Sequence, residues 1–168
     1  MKRTSFASFN CSIARSLELV GEWWTPLVLR SVFLGVTRFD DIQRDLGVAR
    51  NVLADRLDAL VEAGMLERRP YRRKPVRHEY VLTDKGRDFC PVLMALMAWG
   101  DRWTAGEQGP PARLRHDACG SLTTPVVSCS ECGEPLTAEG VTALAGPGGS
   151  IGPGTLVSGA LLAERSVA

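Results

Sequence analysis

Apolar positions recur through the first hundred residues at the spacing of amphipathic helices. Ile13, Leu17 and Val20 share one helical face, which stops at Gly21. Thr25 followed by Pro26 reads as a cap and a first helical position, because proline lacks only an N–H that would be orphaned there anyway. Leu27, Val28, Leu29, Val32 and Phe33 carry that helix to Gly35. The segment FDDIQRDL predicts a third, short helix over about 39–46, with Phe39, Ile42 and Leu46 inward and Asp40, Gln43 and Arg44 outward, closed by Gly47. A fourth helix begins near Ala49 or Arg50 and runs to Ala63, where Leu53, Leu57, Leu60 and Val61 form one stripe and Gly64 ends it.

The third and fourth helices, joined by a short turn at Gly47, have the dimensions of a helix-turn-helix, although generic helical hairpins share that pattern. The next segment is more specific. MLERR (65–69) and RHEYVL (77–82) predict two short strands joined by a loop holding Pro70 and Pro75, which makes a wing. One long helix is then expected from Thr83 or Asp84 to about Thr104, with Phe89, Val92, Leu93, Leu96, Gly100 and Trp103 on one side and Met94, Met97, Ala98 and Trp99 on its other flanks. A helix apolar on more than one face needs a second burial partner, and a second copy of the chain is the economical supplier, against the alternative that the first helix alone covers it. The predicted fold class is mostly α with a small β-hairpin, a winged helix-turn-helix.

Composition narrows the function. A chain of 168 residues, 45% hydrophobic and 23% charged, has room for one domain and a small appendage. Its densest apolar stretch, 89–100, falls well short of the roughly 20 residues a membrane-crossing helix needs. Lys2 and Arg3 are followed by Ser, Asn and Cys where a secretory signal would be apolar, so a cytoplasmic location is expected. The net charge of +1 divides unevenly: residues 1–103 hold 17 Lys and Arg against 13 Asp and Glu, whereas 104–168 hold 3 against 6. Six cations, Arg68, Arg69, Arg72, Arg73, Lys74 and Arg77, fall within 68–77 without an acid. Alone, such a run reads as a solvated face or as an anion contact; on a wing beside a helix-turn-helix, it fits the phosphates flanking a major groove.

From Cys11 to Trp103 the chain resembles the HxlR family of winged helix-turn-helix regulators, relatives of the MarR group. The resemblance rests on GEWWTPLVLRSVFLGVTRFDDIQRDLG, VLADRLDALVEAGMLERRPY, PVRHEYVLTDKG and MALMAWGDRW. It implies a bacterial, cytoplasmic homodimer whose first and last helices form the interface and whose recognition helices bind a roughly palindromic operator on double-stranded DNA. The effector ligand of such a regulator is not specified by any motif here. Relatives usually carry Ser ahead of the recognition helix and Lys in its first turn. Here Ala49 and Arg50-Asn51 stand there, so a cap worth about 1 kcal/mol is missing. With Leu53 inward, Asn51, Asp55 and Asp58 point outward and Arg56 lies on a flank. Asn51 can read adenine and Arg50 guanine. Arg56 either contacts DNA or is structural, and Asp58 is either solvated or paired with an arginine. The candidate DNA contacts are therefore Arg38, Arg50, Asn51, Arg56, Arg72, Arg73, Lys74 and Arg77. The winged-helix unit is placed at 11–104.

Five cysteines in an intracellular chain are expected as thiols or metal ligands rather than structural disulfides. Cys90 reads as core or interface filler. Cys11, ahead of the first helix, is where some HxlR-type regulators carry a redox- or electrophile-sensing thiol, so it is a candidate sensor. His116-x2-Cys119-Gly and Cys129-x2-Cys132-Gly are two knuckles within 113–138 that supply four tetrahedral ligands, and the segment resembles a compact zinc ribbon holding one structural zinc. A redox-active CxxC, or thiols without a task, are the alternatives. The Gly-rich stretch 145–168 lacks a phosphate-loop Lys and is expected to be a flexible tail with at most a helix over 160–165. Neither histidine, His78 or His116, has a nucleophile partner by sequence, so no enzyme is expected. A protein-interaction module using the winged helix and the zinc-ribbon-like segment is the runner-up to DNA binding.

Overall fold

The computed structural model describes residues 5–165. The order of elements is α1 (Ser12–Val20), α2 (Trp24–Phe33), α3 (Phe39–Leu46), α4 (Arg50–Glu62), β1 (Leu66–Arg73), β2 (Val76–Leu82), α5 (Asp84–Asp88), α6 (Cys90–Thr104), β3 (Leu114–Arg115), β4 (Leu122–Thr123) and α7 (Ser158–Arg165). The core lies where α2 meets α3, α4, β2 and α6. Val28, Leu29, Ile42, Leu53, Leu57, Leu60 and Leu66 are almost free of solvent there. At about 1.5–3 kcal/mol for each fully buried aliphatic side chain, this cluster is the main source of cohesion.

The turn between α3 and α4 is set by Gly47, whose φ of 62° is left-handed and whose N–H donates to the Gln43 carbonyl at 3.0 Å. Gln43 also donates from Nε2 to the Val48 carbonyl at 3.2 Å, and Val48 itself is buried, so the angle between the two helices is fixed from both sides. Ala49 caps α4 without a side-chain hydrogen bond, as its methyl group requires.

The wing is longer than expected. β1 and β2 pair antiparallel from Leu66 opposite Leu82 to Arg73 opposite Val76, with a register shift between Pro70 and Arg72 that leaves Tyr71 unpaired. Pro70 does not interrupt the strand, because β1 is an edge strand and a missing N–H can face outward. The segment before α3 adds to it: the Tyr80 N–H donates to the Thr37 carbonyl at 2.8 Å, and Arg38 forms a β-bridge with Glu79.

The single long helix expected from Thr83 or Asp84 to Thr104 is two helices, divided at Phe89. Pro91 is the physical reason: it has no N–H for the Arg87 carbonyl, so the first rod ends and the second starts with proline in its first turn. Likewise α2 starts one residue before Thr25, capped at Trp23, rather than at Pro26. In α1 only Val20 is buried; Ile13 and Leu17 are 73% and 44% exposed, so most of its apolar face is open in the single chain. Beyond α6, β3 and β4 form a second small hairpin. In the tail, α7 begins two residues earlier than the expected helix, and Asn10 Nδ2 donates to the Ser150 carbonyl at 2.9 Å, which ties the residues before α7 to the segment before α1.

Candidate nucleic-acid interface

Leu53, Leu57 and Leu60 hold α4 against the core, which leaves Arg50, Asn51, Asp55 and Asp58 on the exposed side. Arg50 and Asn51 are its first two residues. The Arg50 guanidinium donates from Nη1 to Asp40 Oδ1 at 2.9 Å and lies over the Phe39 ring at 4.7 Å. Arg38, the residue capping α3, lies over the Tyr71 ring of the wing at 4.4 Å. Contacts therefore run without a gap from the start of α4, through Arg38, Phe39 and Asp40, to the bulge of the wing.

Of the six wing cations, two are paired with carboxylates of the chain. Arg68 pairs with Asp58, which settles that aspartate as a partner of arginine, and Arg69 pairs with Glu67 at 2.5 Å. Arg72 donates from Nε to the Lys74 carbonyl at 3.1 Å, shaping the loop while its charge stays open. Among the described residues no carboxylate pairs with Arg72, Arg73, Lys74 or Arg77, all of them exposed. Arg56 differs from the other candidates: it is 24% exposed and reaches Glu22 at 3.6 Å, across to the segment between α1 and α2. The sequence pattern did not show Tyr71 or Asp40 as parts of this surface. Both meet arginines that are distant in sequence, and no local periodicity encodes such a meeting.

A separate surface, formed by α1 and α6, is apolar. A groove of about 470 Å³ runs between α1 and α6, lined by Ile13, Leu17, Pro26, Val92, Leu93 and Leu96. Trp99 and Trp103 continue that face of α6 at 60% and 65% exposure. A second apolar cavity, about 320 Å³, lies between α2 and α6 beneath Leu114.

The cysteines fall into three settings. Cys11 is the residue capping α1 and is half-exposed. Cys90 is buried at the start of α6, where desolvation pushes its thiol up from the ordinary value, although the Arg87 charge opposes the shift. Cys119 and Cys132 are exposed and Cys129 is half-exposed. The Ser121 backbone N–H holds the Cys119 thiol below the usual range, and the Cys132 and Glu131 N–H groups do the same for Cys129. His116 Nδ1 lies 3.4 Å from Cys119 Sγ, and the Cys132 thiol meets Cys129. The four expected ligands thus come together as two pairs. Among the described residues, no three His, Cys, Asp or Glu side chains are gathered into a group that could hold a metal ion.

A short helical pair with an exposed second helix, followed by a cationic hairpin, defines a winged helix-turn-helix protein. The chain belongs to the HxlR-like helix-turn-helix family, whose pattern matches residues 19–108. An uncharacterized HTH-type transcriptional regulator of Mycobacterium tuberculosis is 49% identical over 137 residues, covering 82% of this chain and 87% of the relative. A counterpart from Mycobacterium bovis matches to the same extent. Among solved structures, PA1607, described as a proposed transcription factor, is 36% identical with a TM-score of 0.73, covering 83% of this chain and 98% of that one. The transcription factor PA1374 from Pseudomonas aeruginosa, also a proposed one, is 46% identical with a TM-score of 0.57, covering 83% and 95%. A likeness covering more than four-fifths of a 168-residue chain runs beyond residue 108 into the knuckle segment. Among the described residues no helix is long and apolar enough to cross a membrane.

Proposed function

We propose that the chain is a transcriptional regulator that binds double-stranded DNA as a homodimer on a roughly palindromic operator. The observation that carries this reading is the continuous strip from Arg50 and Asn51 through Arg38 to Arg72, Arg73, Lys74 and Arg77, cations with no carboxylate partner among the described residues. Its two ends suit two tasks. The start of α4 enters the major groove, where Arg50 and Asn51 meet base edges, while the wing lies along the backbone and supplies affinity without sequence information. Arg56, turned toward Glu22, holds α4 to the α1–α2 connection and contributes to the interface by placing the helix. The names of the mycobacterial relatives agree with regulation.

The open α1–α6 face supports the homodimer. Ile13, Leu17, Val92, Leu96, Trp99 and Trp103 form an exposed apolar surface next to a groove, and a two-fold partner would cover it with the same surface of its own. Two recognition helices related by that two-fold axis would read two half-sites. Selection of random duplexes by gel shift tests the reading: a recovered motif with two-fold symmetry is expected, and recovery of no motif overturns it. Cys11 gives this regulator a candidate thiol switch, because it caps the helix that lines the dimer groove. Unchanged oxidant response in Cys11→Ser would remove that role.

A further inference from the structure

The segment after α6 contains the same backbone unit twice. In the first copy, the His116 N–H donates to the Ser121 carbonyl at 2.9 Å and the Gly120 N–H donates to the His116 carbonyl at 2.7 Å. In the second, the Cys129 N–H donates to the Glu134 carbonyl at 2.8 Å and the Gly133 N–H to the Cys129 carbonyl at 2.9 Å. Gly120 and Gly133 take the same left-handed conformation, at φ 71° and 78°. Flanking residues also correspond: Arg115 pairs with Leu122, and Ser128 bridges Pro135. Every correspondence has one offset, the 13 positions from His116 to Cys129. Each hairpin therefore presents two side chains at equivalent places, His116 and Cys119 on one, Cys129 and Cys132 on the other.

We propose that these two hairpin tips hold one structural zinc ion per chain, through His116, Cys119, Cys129 and Cys132. Three features of this chain fit the ion. With Zn–S near 2.3 Å and Zn–N near 2.0–2.1 Å, the N···S edge of a tetrahedral site is about 3.5 Å, and His116 Nδ1 lies 3.4 Å from Cys119 Sγ. Three thiolates and an imidazole form a soft, nitrogen-and-sulfur donor set that suits Zn(II) better than harder cations. Finally, none of the residues from 115 to 144 is buried, while Leu122, Val126, Val127 and Leu136 are largely exposed. A segment without a core does not hold two matched hairpins by apolar burial, and a structural metal supplies folding free energy directly. Free cysteines are among the residues most often buried, so two exposed thiols and one half-exposed thiol in such a segment point to a task other than packing.

Binding would release the thiol protons, leaving three thiolates, a neutral imidazole and Zn(II) with a net charge of −1. Four protein ligands leave no place for a reacting water, so the ion is structural. The ion would draw together two pairs that the polypeptide alone has already formed. This proposal does not rest on DNA binding, and each can fail without the other.

The test is metal analysis of the full chain purified under reducing conditions without chelator. One zinc per chain is expected, together with cobalt substitution that yields the intense visible absorption and thiolate charge transfer of a four-coordinate sulfur-rich site. Cys129→Ser should lose most of the zinc; His116→Cys should keep it and shift the cobalt spectrum toward four sulfurs; Cys11→Ser should leave both unchanged. The helical signal of α2–α6 should survive chelation, while the 113–138 segment becomes readily cleaved by protease. Zinc well under one per chain, unchanged zinc in Cys129→Ser, or a Cys129–Cys132 disulfide as the state of the freshly purified protein would overturn the proposal. The first and the last would leave the His116–Cys119 contact as a thiol–imidazole hydrogen bond and nothing more.

Discussion

Arg50 Nη1 lies 2.9 Å from Asp40 Oδ1, so the first residue of the recognition helix is held by the first turn of the helix before it. Both side chains are more than half exposed, and an ion pair in that setting contributes at most about 1 kcal/mol. The pair is weak enough for DNA to break it, and it keeps Arg50 close to the Phe39 ring until then. Asp40 is also an acid on the surface proposed to approach phosphates. Asp40→Asn should tighten binding to all duplexes, with the log–log salt slope steeper by up to about 0.9, the value for one additional phosphate contact. Titrations at several salt concentrations would show it, and equal affinity for wild type and variant would mean that Arg50 is not released toward DNA.

The wing and the recognition helix should fail differently. Replacing Arg72, Arg73 and Lys74 with Ala should weaken binding to every sequence alike and flatten the salt slope, since these cations have no carboxylate partner among the described residues and would face phosphate. Asn51→Ala should instead cost about 1–3 kcal/mol at one or two positions of each half-site and leave nonspecific affinity nearly unchanged. Motif selection with each variant separates the two effects. A wing variant with altered motif and unchanged affinity would reverse the assignment.

Much of this surface could be read from the sequence because its determinants are local. Leu53, Leu57 and Leu60 fix which side of α4 is buried, and that alone exposes Arg50 and Asn51. Gly47 marked the turn because its left-handed conformation suits a residue without Cβ. The break at Phe89 has no mark in the apolar pattern, because the stripe only begins at Phe89 while α5 (DKGRD) is polar, and the proline that divides them is tolerated in a first helical turn but not in the interior of a longer rod. Arg38 over Tyr71 and Arg50 against Asp40 depend on how α3, α4 and the wing are set against one another, which no periodicity carries. The 13-residue repeat of the knuckles is visible in the sequence only as His-x2-Cys-Gly and Cys-x2-Cys-Gly. Its full extent emerges from matching hydrogen bonds that include positions with unlike side chains, Ser121 and Glu134.

A charge placed in the apolar groove should separate the protomers. Leu96 is 57% exposed in the single chain and lines the α1–α6 groove, so Leu96→Glu should leave the fold intact and abolish the dimer at micromolar concentration. Sedimentation gives the mass, and circular dichroism checks the helices. Binding to the selected operator should fall much more than binding to an isolated half-site, because two linked half-sites gain from effective concentration. A folded Leu96→Glu protein that remains dimeric would place the interface elsewhere.

The junction between wing and α5 should be the least tolerant of small changes. Thr83 accepts from the Gly86 N–H at 3.2 Å through Oγ1 and donates to the Gly64 carbonyl at 2.6 Å, so one hydroxyl caps α5 and ties it to the end of α4. Gly86 lies so close to the start of β1 that an added Cβ would sit 2.2 Å from the Met65 carbonyl oxygen. That neighbour is backbone, and it cannot yield without moving the strand beyond it. Thr83→Ala should therefore lower stability by about 1–2 kcal/mol through the lost cap. Gly86→Ala should cost about 1–3 kcal/mol or more by overpacking, even though alanine is the better helix former. Urea unfolding midpoints compare the two, with the m-value showing whether the transition remains of one kind. If Gly86→Ala proved neutral, the junction would be able to open by several tenths of an ångström, and the wing would not be anchored to α5 in the way its contacts with Met65 indicate.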